Sequence, residues 1–326
     1  MINFEYTRAL TVKAATDALA RYPAARLIAG GTNLVDLMKK GVTAPARLID
    51  INSLPLKQVE ENSRGLSIGA LVINSDLSAH EIVLKKHPLL SQAMQAGASA
   101  QLRNMATVGG NMMQRTRCTY FYDTAMPCNK RQPGSGCGAI GGYNRMHAIF
   151  GTSDKCIAVH PSDMCVALAA LDAQVTIAGP KTTRTIAFTD FHRLPGSNPE
   201  LDNNLKAGEI ITGVYIPPHP YTRHVHYLKL RDRASYAFAL ISVAAALELE
   251  NNRIKSARLA MGGVAHKPWR LQEAEAFLQG RQASMSTFKE AGKLAVKEAK
   301  GFGENDFKIK MSPVAIAEAL HRASQA

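Results

Sequence analysis

The sequence predicts an α+β protein in two parts that meet near residue 220. Three observations carry this expectation. The stretch "RLIAGGTNLVDLMKKG" (26–41) reads as strand, glycine turn and helix, an α/β pattern. Near Tyr221 the composition changes to three successive β segments followed by two helices. Between them, "CTYFYDTAMPCNKRQPGSGCGAIGGYNRMHAIFGTSDKC" (118–156) is helix-poor, rich in glycine, and holds four of the five cysteines. A chain of 326 residues is long enough for two domains with a sizeable core.

Taken in order, "TVKAATDALARY" has apolar residues at helical spacing behind Thr11, which suits an N-cap. Arg26 to Ala29 is a strand, Gly30-Gly31 the turn, and Leu34 to Lys40 a helix that Gly41 is placed to end. "ARLIDI" and "LSIGALV" are strands, followed by helices around Ser78–Lys86 and Leu89–Gly97. "LRNMATVGGNMMQ" reads as a second glycine turn. "HPSDMCVALAALDAQVTIAG" is a short helix and a strand, and "GEIITGVYIPP" a strand ended by Pro217-Pro218. Beyond residue 220, "HVHYLKLRDR", "ALISVAAALELEN" and "RIKSARLAMGGVA" are strands, with Asn251-Asn252 turning between the last two. "STFKEAGKLAVKEA" and "SPVAIAEALHRA" are the closing helices.

At 46% hydrophobic and 20% charged the composition is that of a globular protein. No apolar run suggests a membrane span, and "MINFEYTRAL" lacks a signal-peptide pattern. The net charge of +13 points to an anionic partner: nucleic acid, phosphorylated cofactor or acidic protein surface. Lys and Arg are spread along the chain without a basic block, and there is one Trp, so nucleic acid is not expected. Five cysteines without a signal argue against a disulfide framework and for a metal.

Two glycine pairs carry the cofactor argument. "AGGTNL" (29–34) joins a strand to a helix; glycines let backbone N–H groups crowd around an anion, and Thr32 and Asn33 add side-chain donors. "TVGGN" (107–111) has the same parts. Either alone is a plain tight turn as readily as a phosphate site, since neither matches GxGxxG or a P-loop. Together they suit the two phosphates of one dinucleotide.

"RLIAGGTNLVDLMKKG", "LRNMATVGGNM", "HPSDMCVALAALDA", "GEIITGVYIP" and "YLKLRDRASYAFALISVAAAL" occur in the order seen in the FAD-binding medium subunits of molybdenum hydroxylases, and the chain resembles that family over nearly its whole length. The resemblance implies a two-part FAD-binding domain of the vanillyl-alcohol-oxidase type (1–220) plus a smaller C-terminal α+β domain (221–326). It implies that Leu27, Ile28, Ala29, Gly30, Gly31, Thr32, Asn33 and Leu34 wrap the FAD pyrophosphate. Ala106, Thr107, Gly110 and Asn111 would form a second wall. Asp163 would lie near the adenosine side, Ile211 at the isoalloxazine and Lys229 at a polar edge of the flavin. Taken alone, Asp163 reads equally as a helix N-terminal acid, Ile211 as core and Lys229 as a solvated strand residue. Cys165, in an apolar helical pattern, reads as a buried inert thiol, and His160 as a satisfied loop histidine with a position at the flavin rim as the alternative.

The insert at about 115–158 carries Cys118, Cys128, Cys137 and Cys156. Zinc usually takes two close CxxC pairs, and here the gaps are nine, eight and eighteen residues. A [4Fe–4S] cluster tolerates wide spacing in a loop with the freedom of "PGSGCGAIGG" and is favoured over zinc. Four unligated thiols in an ordered loop are the third possibility. The resemblance supports the cluster, since the flavin subunit of 4-hydroxybenzoyl-CoA reductase and those of some bacterial aldehyde oxidoreductases carry one in such an insert, and the chain most resembles the periplasmic aldehyde oxidoreductase flavin subunit. Tyr120, Phe121, Tyr122, Tyr143, His147 and Phe150 are expected to cover it rather than ligate it.

The resemblance therefore implies an electron-transfer subunit of a molybdenum-dependent aldehyde oxidoreductase, with no catalytic residue in this chain. Its partners would be a molybdenum-cofactor large subunit and a [2Fe–2S] small subunit, in a heterotrimer. The complex would be periplasmic by a partner's export signal, or else cytoplasmic. A freestanding flavin-dependent reductase and a zinc-stapled binding module are the alternatives.

Overall fold

The computed structural model describes residues 2–326, which form three sheets. The first is parallel: β1 (Glu5–Arg8), β2 (Arg26–Ile28) and β3 (Arg47–Asp50), in the order β1-β3-β2. Helix α1 (Val12–Arg21) connects β1 to β2, and Thr11 caps it by accepting from the Ala14 N–H at 3.1 Å. Helix α2 (Leu34–Lys39) follows β2 and stops at Gly41, whose φ of +70° is the left-handed conformation expected there.

The second sheet has five antiparallel strands: β4 (Val59–Asn62), β5 (Gly65–Gly69), β6 (Gln174–Ala178), β7 (Thr183–Ala187) and β8 (Ile210–Ile216), in the order β4-β5-β8-β6-β7. Between β5 and β6 come α3 (Asn74–Ala79), α4 (Glu81–Lys86), α5 (Pro88–Ala96), α6 (Ala100–Arg103), α7 (Val108–Met112), α8 (Thr119–Tyr122) and α9 (Asp163–Ala170). Every residue of α9 is buried, which its near-continuous apolar run "MCVALAA" dictates. It packs on α5 and on strands of the third sheet.

The third sheet is β9 (Val225–Leu230), β10 (Ile241–Glu250), β11 (Arg253–Gly262) and β12 (Trp269–Arg270), in the order β12-β11-β10-β9. Asn251 and Asn252 both have positive φ, 49° and 60°, so the predicted turn is the tight kind that matches strand twist. Strand β10 is buried on both faces. Ile241, Val243, Ala245 and Leu247 join the core under α10 (Gln272–Leu278), α11 (Met285–Leu294) and α12 (Phe307–Gln325), while Ala244 and Ala246 join the core around α9. Helix α10 has no counterpart in the sequence expectation, because seven residues carry too little periodicity to read.

The cysteine insert is not a separate lobe. Arg115 and Lys130 both pair with Asp202, and the Lys130 side chain is fully buried. Ile149 and Phe150 enter the core of the third sheet, where Phe150 stacks on Trp269 with ring centroids 5.2 Å apart.

Candidate functional site

The two glycine segments touch. A Cβ added to Gly30 would stand 1.8 Å from the Met105 carbonyl oxygen and 3.3 Å from the Ala106 Cα, so only glycine permits this approach. Gly31 adds the positive φ, 71°, that turns the chain into α2. Among the described residues, the N–H groups of Gly30, Gly31, Thr32 and Asn33 donate to no protein acceptor. Leu27 to Leu34 are all partly open to solvent. This segment therefore presents a row of free, partly exposed donors, as an anion site requires.

The second segment is different from the expectation. Gly109 and Gly110 do not make a turn; they lie inside α7, which Thr107 caps by accepting from the Gly110 N–H at 3.2 Å. Its backbone donors are spent: Val108 on Val72 O, Gly109 on Ala70 O and Asn111 on Thr107 O. Gly109 is needed because a Cβ there would meet Ala70 at 3.1 Å. Ala106 is likewise used by the frame, accepting from the Asn74 N–H at 2.8 Å. The two segments are neighbours with unequal chemistry, one a donor row and the other a wall.

The wall continues into α9. Ser162, the N-cap of α9, donates to Asn111 Oδ1 at 2.5 Å and accepts from the Cys165 N–H at 3.1 Å. Asp163, in the first turn of α9, is 8% exposed and accepts from Lys229 Nζ and from Tyr227 Oη, both at 2.8 Å. Lys229 also donates to Ala96 O at 2.9 Å. Asp163 and Lys229 are thus paired with each other, and neither is solvated. Burial, with the Asp163 carboxylate beside it, holds Tyr227 well above the usual phenol range, so it donates at all working pH. Ile211 lies on β8 in the core at 7% exposure.

A mainly apolar cavity of about 180 Å³ adjoins the wall, lined by Ser162 and Asp163 on one side and by Cys118, His147 and Phe238 on another. The glycine segments are tied to its lining or to the residue beside it: Asn33 Oδ1 accepts at 3.0 Å from the N–H of Arg115, which precedes the lining residue Thr116, and Asn111 Oδ1 accepts from Ser162. His160 lines the cavity too, and its Nε2 is buried without a partner, so it is not the satisfied loop histidine the sequence suggests. Cys165 is fully buried, and burial pushes its thiol up to about 12, as an inert thiol requires.

Cys118, Cys128, Cys137 and Cys156 are all free thiols around one small pocket, with Phe121, Lys130 and His147 in its walls. Cys128 and Cys137 face each other in an isolated antiparallel bridge. Burial pushes Cys118 up to about 12 and Cys156 up to about 11, and in both the neighbouring thiols add to the rise. Four thiols that are electrostatic neighbours but unbridged form a donor set that fits a thiolate-bound metal group. Sequence reading missed the buried pair beside them. Burial alone would raise the Asp202 carboxyl, yet Lys130 and Arg115 hold it below the usual range. Within "CNKR" nothing distinguishes a buried lysine from a solvated one.

The description "FAD binding domain in molybdopterin dehydrogenase" matches residues 2–219, and "CO dehydrogenase flavoprotein C-terminal domain" matches residues 226–321. The chain is 49% identical over 326 residues to the aldehyde oxidoreductase FAD-binding subunit PaoB of Escherichia coli K12, covering 99% of each. It is 29% identical over 281 residues to the glyceraldehyde dehydrogenase medium chain of Sulfolobus acidocaldarius, covering 86% of this chain and 82% of that one. Among solved structures, CO dehydrogenase from Oligotropha carboxidovorans superposes with a TM-score of 0.79 at 23% identity, covering 100% of this chain and 99% of that one. At that identity the likeness speaks to the fold. No helix among the described residues is long and apolar enough to cross a membrane.

Proposed function

Because the chain belongs to the FAD-binding medium subunits of the molybdenum hydroxylase family, we propose that it is the flavin- and [4Fe–4S]-carrying electron-transfer subunit of a molybdenum-dependent aldehyde oxidoreductase. A large subunit with the molybdenum cofactor oxidises the aldehyde, a small subunit with [2Fe–2S] clusters relays electrons, and this chain hands them to an external acceptor. The three chains form a heterotrimer, and the excess of positive charge serves docking to more acidic partners. The complex is periplasmic, exported on a partner's signal.

In this reading residues 1–220 hold FAD and residues 221–326 close over it. The free amides of Gly30 to Asn33 take the pyrophosphate, with Leu27 to Ala29 and Leu34 shaping the groove. Ala106, Thr107, Gly110 and Asn111 back it as a wall, leaving the Thr107 hydroxyl and the Asn111 amide nitrogen as the polar contacts. Lys229 and Asp163 act as one unit that fixes the start of α9 against β9. Ile211, a core residue near the start of β8, stands at the isoalloxazine. FAD, when bound, supplies the change between one-electron and two-electron transfer. The chain's own residues hold and shield it, and none need form a covalent bond. Cys118, Cys128, Cys137 and Cys156 ligate the cluster.

The observation that carries this reading is the joining of the two sites. Cys118 and His147 line both the thiol pocket and the 180 Å³ cavity beside Asp163. The test is co-expression with the partner subunits, then metal and flavin analysis of the purified complex. About four iron per chain beyond the partners' clusters, with one FAD, is expected. Zinc at the four thiols would refute the cluster, and absence of flavin would refute the whole reading.

A further inference from the structure

Among the described residues, only one side chain hydrogen-bonds to any of the four sulfurs. His147 Nε2 lies 3.1 Å from Cys118 Sγ. Backbone N–H groups reach the sulfurs as well, Cys156 from Ala158 at 3.5 Å and Cys118 from Tyr120 and Phe121, but the side-chain donor is at Cys118 alone. From this asymmetry we propose that His147 is a positioning residue that donates its Nε2–H to Cys118 and raises the reduction potential of the group the four thiols hold. The proposal rests on the cluster reading above.

The ring has little freedom. His147 is 5% exposed, and its Nδ1 is buried with no partner. A neutral imidazole has one N–H. A ligating thiolate is an acceptor only, so the proton must stand on Nε2. The opposite tautomer would set a lone pair against the sulfur and bury an unpaired N–H. The backbone around the ring is clamped by residues that precede and open α12. Asn144 Nδ2 donates to Phe302 O at 2.7 Å, Asn305 Nδ2 to Ala148 O at 2.9 Å, and Lys308 Nζ to His147 O at 2.9 Å and Gly263 O at 2.7 Å. Lys308 is 0% exposed and has no carboxylate partner among the described residues. A buried amine held only by carbonyls is a costly clamp, and what it fixes is the peptide that carries the imidazole.

The physical effect has a definite sign. Reduction adds negative charge that is shared by the ligand sulfurs. A donor aimed at one of them binds the reduced state more tightly than the oxidised one, so it makes reduction easier.

The experiment uses the intact complex and an EPR-monitored redox titration of the cluster assigned to the four cysteines. His147→Leu is expected to lower the one-electron reduction equilibrium constant about tenfold, ~59 mV, with iron content retained. His147→Gln, which keeps an N–H donor, is expected to recover most of the shift. A residue of merely structural importance would leave the potential in place. An unmoved potential in an iron-replete His147→Leu complex overturns the proposal. Should that variant lose its iron, the wild-type complex grown on ¹⁵N-histidine decides by pulsed EPR. A weak ¹⁵N coupling to the reduced cluster, lost in His147→Gln, supports the bond, and no coupling overturns it. Absence of this iron from the wild type would instead remove the cluster reading itself, and the proposal with it.

Discussion

Lys229 Nζ lies 2.8 Å from Asp163 Oδ2, with side-chain exposures of 4% and 7%. This pair joins β9 of the C-terminal sheet to the first turn of α9, across 66 residues of sequence. A buried pair of this kind adds little net stability, but breaking it strands a charge. Lys229→Met is expected to cost about 3–5 kcal/mol in chemical denaturation. Lys229→Met combined with Asp163→Asn should recover part of that loss. Independent, additive effects of the two changes would contradict the pairing.

Gly30 and Gly110 differ in what a methyl group would strike. At Gly30 it meets the Met105 backbone oxygen at 1.8 Å, while at Gly110 it meets only the Thr107 hydroxyl, at 2.9 Å, a side-chain atom that must give by a few tenths of an ångström rather than fixed backbone. Gly30→Ala should separate the two segments, costing about 1–3 kcal/mol or more, and purify without flavin. Gly110→Ala should retain most of its flavin. The ratio of flavin to protein absorbance reads both.

Cys128→Ser is expected to remove most of the iron assigned to this chain, because three thiolates leave one iron of a four-iron group without its ligand. Cys165→Ser should leave iron content unchanged, since that thiol is buried in α9 away from the four. Iron analysis of the two variants side by side checks the assignment.

Acid should unfold this chain early. Burial pushes His87, His192, His219 and His266 down to about 4, against an ordinary value of 6.5. The unfolded chain takes up these protons below about pH 6.5, and the folded chain does not until about pH 4. The stability contributed by each neutral ring is therefore present above pH 6.5 and lost as pH falls towards 4, on the order of 1–3 kcal/mol each. Urea midpoints should drop between pH 7 and pH 5. His192→Phe should reduce by one the protons taken up on unfolding in that window.

What the sequence made legible was local. Thr11 as a cap, Gly41 as a stop and Asn251-Asn252 as a turn each act on backbone within a few residues, and each is found as expected. The glycine pair at 109–110 misled, because a Gly-Gly within α7 has the same composition as a turn and differs only in its packing on Ala70. Strand β1, "EYTR", carries no apolar alternation and exists because β3 pairs with it. The site was legible as residue types, not as partnerships. Lys130 with Asp202, His147 with Cys118 and Asp163 with Lys229 all join residues far apart in sequence, and no local signal marks a charged or imidazole side chain that the fold will bury.

The clamp formed by Phe302, Asn305 and Lys308 carries a consequence for biogenesis. These residues are synthesised long after the thiols, Phe302 standing 158 positions beyond Asn144, yet they fix the peptide that carries His147 beside Cys118. Until the C-terminal helix docks, that peptide lacks its clamp. Truncating that helix should therefore yield a chain that chaperones retain and that assembly factors load poorly, even though no liganding residue has been removed.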